Sequence, residues 1–257
     1  MGKQSGLGDA LLIDGYDLSG DIMALNNVHG GPSPLDMTAI NKSAYERIGG
    51  LRDGGIDVTS FFNPGPAANA AHLVLKTLPT TDRQVMYCRG TTLGSPAACC
   101  IGKQLNYDGK RAQSGEYTFG VQAVANGFGL EWGKLLTAGL RTDTVGTSGA
   151  GVDMGPGSGP GFTGPANFGA QFYLQVTAFT GTSVTVKIQE SADNGGTDPW
   201  TDTVGGGFTA ATAIGTQRLQ LASNQTVKEW LRVVTTGTFT SATFAVMATR
   251  NDQAVVF

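Results

Sequence analysis

Five segments in the last third of the chain alternate apolar and polar residues with a period of two, and no other feature constrains the fold as tightly. QFYLQVTAF (171–179) sets Phe172, Leu174 and Val176 on one face, and SVTVKIQES (183–191) does the same with Val184, Val186 and Ile188. QRLQLA (217–222) places Leu219 and Leu221 together. EWLRVVTT (229–236) sets Leu231 and Val233 against Trp230 and Arg232, and SATFAVMATR (241–250) aligns Phe244, Val246 and Ala248. Successive side chains of a strand point to opposite faces, so this alternation predicts antiparallel sheet covered on one side. Thr180–Gly181 between the first two segments fits a tight hairpin turn. Residues 171–257 thus read as an antiparallel β-sandwich or jelly roll.

The N-terminal part is also mainly β. Its strand candidates are 10–19, 19–25, 55–62, 83–90, 96–107 and 116–125. One helix is predicted, PAANAAHLVLKTL (66–78), with Pro66 in its first turn, Pro79 as its stop, and Ala67, Ala71, Val74, Leu75 and Leu78 on one stripe. Between Leu25 and Ser43 the run NNVHGGPSPLDMTAINK shows no period and reads as a long functional loop. From Thr142 to Ala170 the chain is rich in Gly and Pro without hydrophobic period, which predicts a linker. The expected organisation is therefore a β domain over 1–141, a linker over 142–170 and the sandwich over 171–257.

Composition narrows the function. Only 14% of residues are charged, below the usual ~25%. The difference is made up by Gly, Ala, Ser and Thr, which suits many short strands joined by tight turns, or surfaces buried against copies of the same chain. Net charge is −3 with no basic run, which argues against tight binding to phosphate backbones. No stretch approaches the ~20 apolar residues of a membrane span, and no secretory signal is visible, so a soluble protein made in a cytoplasm is expected. Cys88, Cys99 and Cys100 make a poor disulfide framework and read as small buried hydrophobes.

The search for chemistry finds no catalytic, metal or cofactor constellation. His29 and His72 each lack a nucleophile elbow. GPGSGPG (155–161) has no Lys-Ser/Thr to complete a phosphate cradle. ADNGGTD (192–198) lacks the spacing of a calcium loop and reads as a polar hairpin turn. Glu116, Glu131 and Glu190 are isolated. Trp200 and Trp230 are candidates for a glycan-stacking platform, or else plugs at strand ends.

The order of motifs is informative. LRDGGIDVTSFFN (51–63), YCRGTTLGSPAACC (87–100) and ANGFGLEWGKLLTAGLRTDT (125–144), within a resemblance covering about 17–144, are similar to the tail tube (major tail) proteins of long-tailed actinobacteriophages. That resemblance implies a β-barrel or sandwich with one flanking helix, whose copies close into six-membered rings. The rings would stack into a tube around a channel for DNA. The 171–257 region would then be an accessory sandwich. The loop at about 26–42 would contact the adjacent ring, through Asn26, Asn27, Val28, His29, Leu35, Asp36, Met37 and Ile40. The segments 1–16 and 142–170 would bridge subunits. The partners implied are further copies of the chain, other tail proteins and genomic DNA passing without specific binding, in a virion tail assembled in a bacterial host; no cofactor and no membrane insertion are implied. The alternatives are a capsid decoration or head-fibre protein and a carbohydrate-binding accessory protein of the virion. An enzyme is disfavoured.

Overall fold

The structure, a computed structural model, describes residues 5–155 and 164–254. The protein is mainly β. In chain order the strands are β1 (Ala10–Ile13), β2 (Tyr16–Asp17), β3 (Ile22–Asp36), β4 (Arg47–Phe61), β5 (Arg83–Cys88), β6 (Pro96–Gln104), β7 (Asp108–Arg111), β8 (Tyr117–Ala125), β9 (Glu131–Leu135), β10 (Arg141–Asp143), β11 (Val152–Asp153), β12 (Ala170–Ser191), β13 (Thr201–Gly207), β14 (Gly215–Gln220) and β15 (Trp230–Arg250). One helix, α1 (Ala71–Leu75), lies between β4 and β5. No helix among the described residues is long and apolar enough to cross a membrane.

Two compact units form, and they do not follow the expected division at Arg141. One comprises Met1–Ser19, Met86–Cys99 and Trp132–Phe257; the other comprises Gly20–Val85 and Cys100–Glu131. The division differs because strands far apart in sequence pair with the C-terminal region. Leu135 and Lys134 of β9 pair with Met247 and Ala248 of β15, and the Gly15 N–H donates to Gln175 Oε1 at 2.6 Å.

In the first unit, β12 and β15 run antiparallel over their whole lengths, from Ala170↔Arg250 to Ser191↔Trp230. The expected hairpin at Thr180–Gly181 is therefore absent: 170–179 and 183–191 are one strand, bent in the middle. Register shifts cluster around Gly181, and Gly181 (φ 147°) and Gly237 (φ 129°) adopt positive φ on the two partners. Only glycine tolerates these conformations cheaply, so the pair bends together. Both halves line the same core. Phe172, Leu174 and Val176 from before the bend join Val184, Val186 and Ile188 from after it, with Leu231, Val233, Phe244 and Val246 opposite. The alternation holds over Val184–Ile188 and Leu231–Thr235, where only one face is buried, but over Ala170–Val176 and Phe244–Ala248 both faces are buried, so the sheet there is not covered on one side only. Asp14 (φ 50°) and Gly15 (φ 80°) turn the short hairpin between β1 and β2, which the sequence reading had taken as one strand.

The expected linker 142–170 is, up to Gly155, part of this unit; Pro156–Thr163 lie outside the described residues. β10 pairs with β15 through Arg141↔Phe244 and Asp143↔Ala242, and β11 pairs with it through Val152↔Leu231. Asp143 is buried, with Arg141 at 2.7 Å and the Thr235 hydroxyl donating at 2.6 Å. A side chain at Gly151 would overlap Asn194 and the Trp200 ring. The glycines here permit close packing and do not loosen the chain. The tip of the GPGSGPG motif (155–161) beyond Gly155 also falls outside the described residues.

The second unit is built on β3, β4, β8 and β7, paired in that order. Ile56, Val58, Phe119, Val121 and Ala123 bury one face. The helix is five residues long where thirteen were expected. Ala71, Val74 and Leu75 of the predicted stripe are buried, but Ala67 is exposed and Leu78 has φ 41°. Ala70 is extended, and the Ala71 N–H donates to Asp21 Oδ2 at 2.9 Å, which sets the start. At the far end Arg83 Nη2 donates to the Val74 carbonyl at 2.8 Å and Gln104 Nε2 to that of Leu75 at 2.8 Å. Side chains thus satisfy the carbonyls that a longer helix would have used.

Candidate functional site

The segment expected to be a loop at about 26–42 is mostly strand. Ile22–Asp36 pairs with Arg47–Phe61 from Ile22↔Ser60 to Asp36↔Arg47. The reason it showed no period is that little of it is buried: along most of β3 both faces are exposed or half-exposed. β8 pairs with β4 only over Gly55–Phe61. From Gly54 outward β3 and β4 form a two-stranded ribbon, here called the arm. Its β3 side, Gly31–Asp36, spans about 20 Å at the usual rise of a strand.

The eight expected contact residues fall into two groups. Asn26, Asn27, Val28 and His29 lie on the basal part of β3, beside the part of β4 that β8 also pairs. Asn26 Nδ2 donates to Thr59 Oγ1 at 2.9 Å, and Asn27, Val28 and His29 stand opposite Asp57, Ile56 and Gly55. Leu35, Asp36, Met37 and Ile40 lie at the far end. Leu35 and Asp36 face Ile48 and Arg47, while Met37 and Ile40 are in the connecting tip.

The tip is internally bonded. Asp36 Oδ1 accepts from the Thr38 N–H at 2.9 Å and from its hydroxyl at 2.5 Å, and these bonds hold the exposed carboxyl below the usual carboxylate range. Thr38 Oγ1 accepts from the Glu46 N–H, the Met37 N–H donates to the Glu46 carbonyl, and Lys42 pairs with Glu46 at 2.9 Å. Arg47 lies over the Tyr45 ring, 4.4 Å from its centroid. The arm exposes Leu35, Met37, Ile40, Tyr45, Ile48 and Leu51, the last with 88% of its surface free. Tyr45, Ile48 and Leu51 were missed in the sequence, where GG and DGG break any period around them.

The other candidates are engaged locally. Arg232 lies over the Trp200 ring at 4.6 Å and donates to Gln189 Oε1 through Nε and Nη2. Trp230 is half-buried opposite Ser191 and Asp153. Asp193 closes its own turn, accepting from Gly196, Thr197 and Asp198 N–H groups, and Asp198 pairs with Lys228 at 2.7 Å. Glu190 Oε2 accepts from the Lys228 N–H, and burial pushes its carboxyl above the usual value. Glu116 accepts from Ser114, and Glu131 is buried in β9. His72 Nδ1 lies 3.2 Å from the Tyr107 hydroxyl, within a cluster of Phe62, Tyr107, Tyr117 and Phe119. Cys88, Cys99 and Cys100 are buried and form no disulfide. Among the described residues no group of three or more His, Cys, Asp or Glu is placed to hold a metal.

No family model matches the chain, and no curated protein matches it. Solved structures do. The tail of an empty gene transfer agent particle is 16% identical with a TM-score of 0.38, over 50% of this chain and 97% of that one. The Dit protein of phage SPP1 is 12% identical with a TM-score of 0.33, over 94% and 99%. A chain of the phage p2 baseplate is 8% identical with a TM-score of 0.32, over 95% and 99%.

Proposed function

We propose that the chain is a structural, non-catalytic subunit of a phage tail, and specifically of a tail tube, with six copies in a ring and rings stacked around a channel for DNA. The observation that carries the reading is the arm. It exposes six large apolar residues on a ribbon of two strands, and an isolated two-stranded ribbon is marginal in water. Apolar surface gathered on a projecting element marks a contact with another protein. A second copy of the chain supplies that contact, and an interface that repeats by rotation closes a ring. Arm tips that reach along the ring axis would join one ring to the next. The low charge suits surfaces covered by neighbouring copies. The net charge of −3 suits a lumen that does not grip a passing polyanion.

Electron microscopy of the purified protein tests this, together with a variant in which 37–46 is replaced by Asn-Gly. The intact chain should form tubes, and the variant should form rings that do not stack. A chain that stays monomeric at high concentration would remove the proposal. A tip-less variant that still forms long tubes would remove the role of the arm.

A further inference from the structure

The arm leaves the sheet at an unusual place. Pairing of β4 with β8 stops at Gly55. At that rung and the next two the ribbon reads His29↔Gly55, Gly30↔Gly54 and Gly31↔Asp53. Four glycines thus meet where the third strand ends, and there are no cross-strand side-chain pairs to stiffen the junction. Gly31 has φ 138°. Beyond it the ribbon is stiffer. Pro32 and Pro34 fix their own φ, and the tip is closed by the hydrogen bonds of Asp36, Thr38 and Glu46.

Two side chains lie at the junction: the His29 ring, whose Cε1 would stand 2.9 Å from a Cβ placed on Gly55, and Leu130, which spans both strands. Leu130 is 7% exposed. Its Cβ would stand 3.0 Å from a Cβ placed on Gly30 and 2.6 Å from one placed on Gly54. The two glycines oppose each other, so Leu130 sits over both strands at once.

We infer that the arm is a lever that pivots at the Gly30–Gly31/Gly54–Gly55 rung, and that Leu130 is the latch that holds it at one angle. Glycine backbone has wide torsional freedom, so the rung itself sets no angle. The stiff distal ribbon carries a small change at the rung out to the tip as a large displacement. The seated leucine removes that freedom. The inference does not rest on the arm meeting another copy.

Paired nitroxides at Ile40→Cys on the tip and Lys110→Cys on β7 measure the angle by dipolar spectroscopy, in protein kept monomeric at low concentration so that no neighbouring copy holds the tip. The native cysteines are buried and stay unlabelled. The intact latch should give one narrow distance distribution. Leu130→Gly, which removes the Cβ seated on both glycines as well as the isobutyl group, should broaden it at least twofold, and Leu130→Met should keep it narrow. A Leu130→Gly distribution as narrow as the parent's would overturn the latch, and a parent as broad as Leu130→Gly would overturn it equally. If Leu130→Gly costs the unit its fold, Leu130→Ala, which loses only the Cδ2 contact with Gly30, is read instead: intermediate width supports the latch and unchanged width refutes it.

Discussion

Replacing Asp143 with alanine asks whether 142–155 is structure or linker. The carboxylate is 4% exposed and its Arg141 partner 16%. Arg141 donates to it through Nε at 2.8 Å and Nη2 at 2.7 Å, and the Thr235 hydroxyl donates at 2.6 Å. Removing one member of a buried pair costs about 3–5 kcal/mol, chiefly because the other charge is left behind. Arg141 keeps two carbonyl acceptors, Val233 at 3.1 Å and Thr147 at 3.0 Å. That points to the lower end, about 3 kcal/mol. The readout is selective: all three tryptophans, Trp132, Trp200 and Trp230, belong to the unit that holds Asp143. Urea unfolding followed by tryptophan emission therefore reports that unit alone. With a slope of about 2 kcal/mol per molar urea, the midpoint should fall by about 1.5 M. Asp143→Asn keeps an acceptor for the guanidinium and should cost about half as much. A shift below about 0.5 kcal/mol, the level of an exposed pair, would mean that the segment is not packed as described.

Other consequences can be checked on the same protein. Glu190 has its pKa raised by burial, so its contribution to stability is fully present below the unfolded value and is lost as pH rises through the folded one. Glu190→Gln should therefore raise the urea midpoint at pH 7 and change it little at pH 4; an equal effect at both would refute the assignment. Burial pushes the Cys88 and Cys100 thiols up to about 12. Ellman's reagent at pH 8 should leave the native chain unreacted and titrate all three cysteines in urea, and fast labelling of native protein would contradict the packing.

How much of this was legible depended on burial. The strands at 183–191 and 229–236 were readable because one face of each lines a core, and period two reports a buried face; 171–176 and 244–248 are buried on both faces and alternate because Gln171, Tyr173, Gln175, Ala245 and Met247 stand on the side opposite Phe172, Leu174, Phe244 and Val246. The arm was not readable for the same reason. NNVHGGPSPLD is strand, but it buries little, so it carries no period. The bend at Gly181 was taken for a turn because glycine serves both purposes. What decides between them is the distant partner strand, whose Gly237 bends with it. Glycine richness in 142–155 was read as looseness, yet Gly151 is tight against Trp200. Composition cannot separate a glycine needed for freedom from one needed for nearness. The Asp14–Gly15 pair carries the chemistry of a type I′ turn, but the strands flanking it are too short to show a period of their own.

The bent pair of β12 and β15 also governs the order in which the chain can fold during synthesis. β1 is the first described strand to be made and β15 the last, and both belong to the same unit. Its core includes Leu231, Val233, Phe244 and Val246, so it cannot close until the ribosome has delivered them. Residues 20–131 hold every strand of the other unit and can settle much earlier. Until then the first hairpin waits without its partner, and the cell must shelter it.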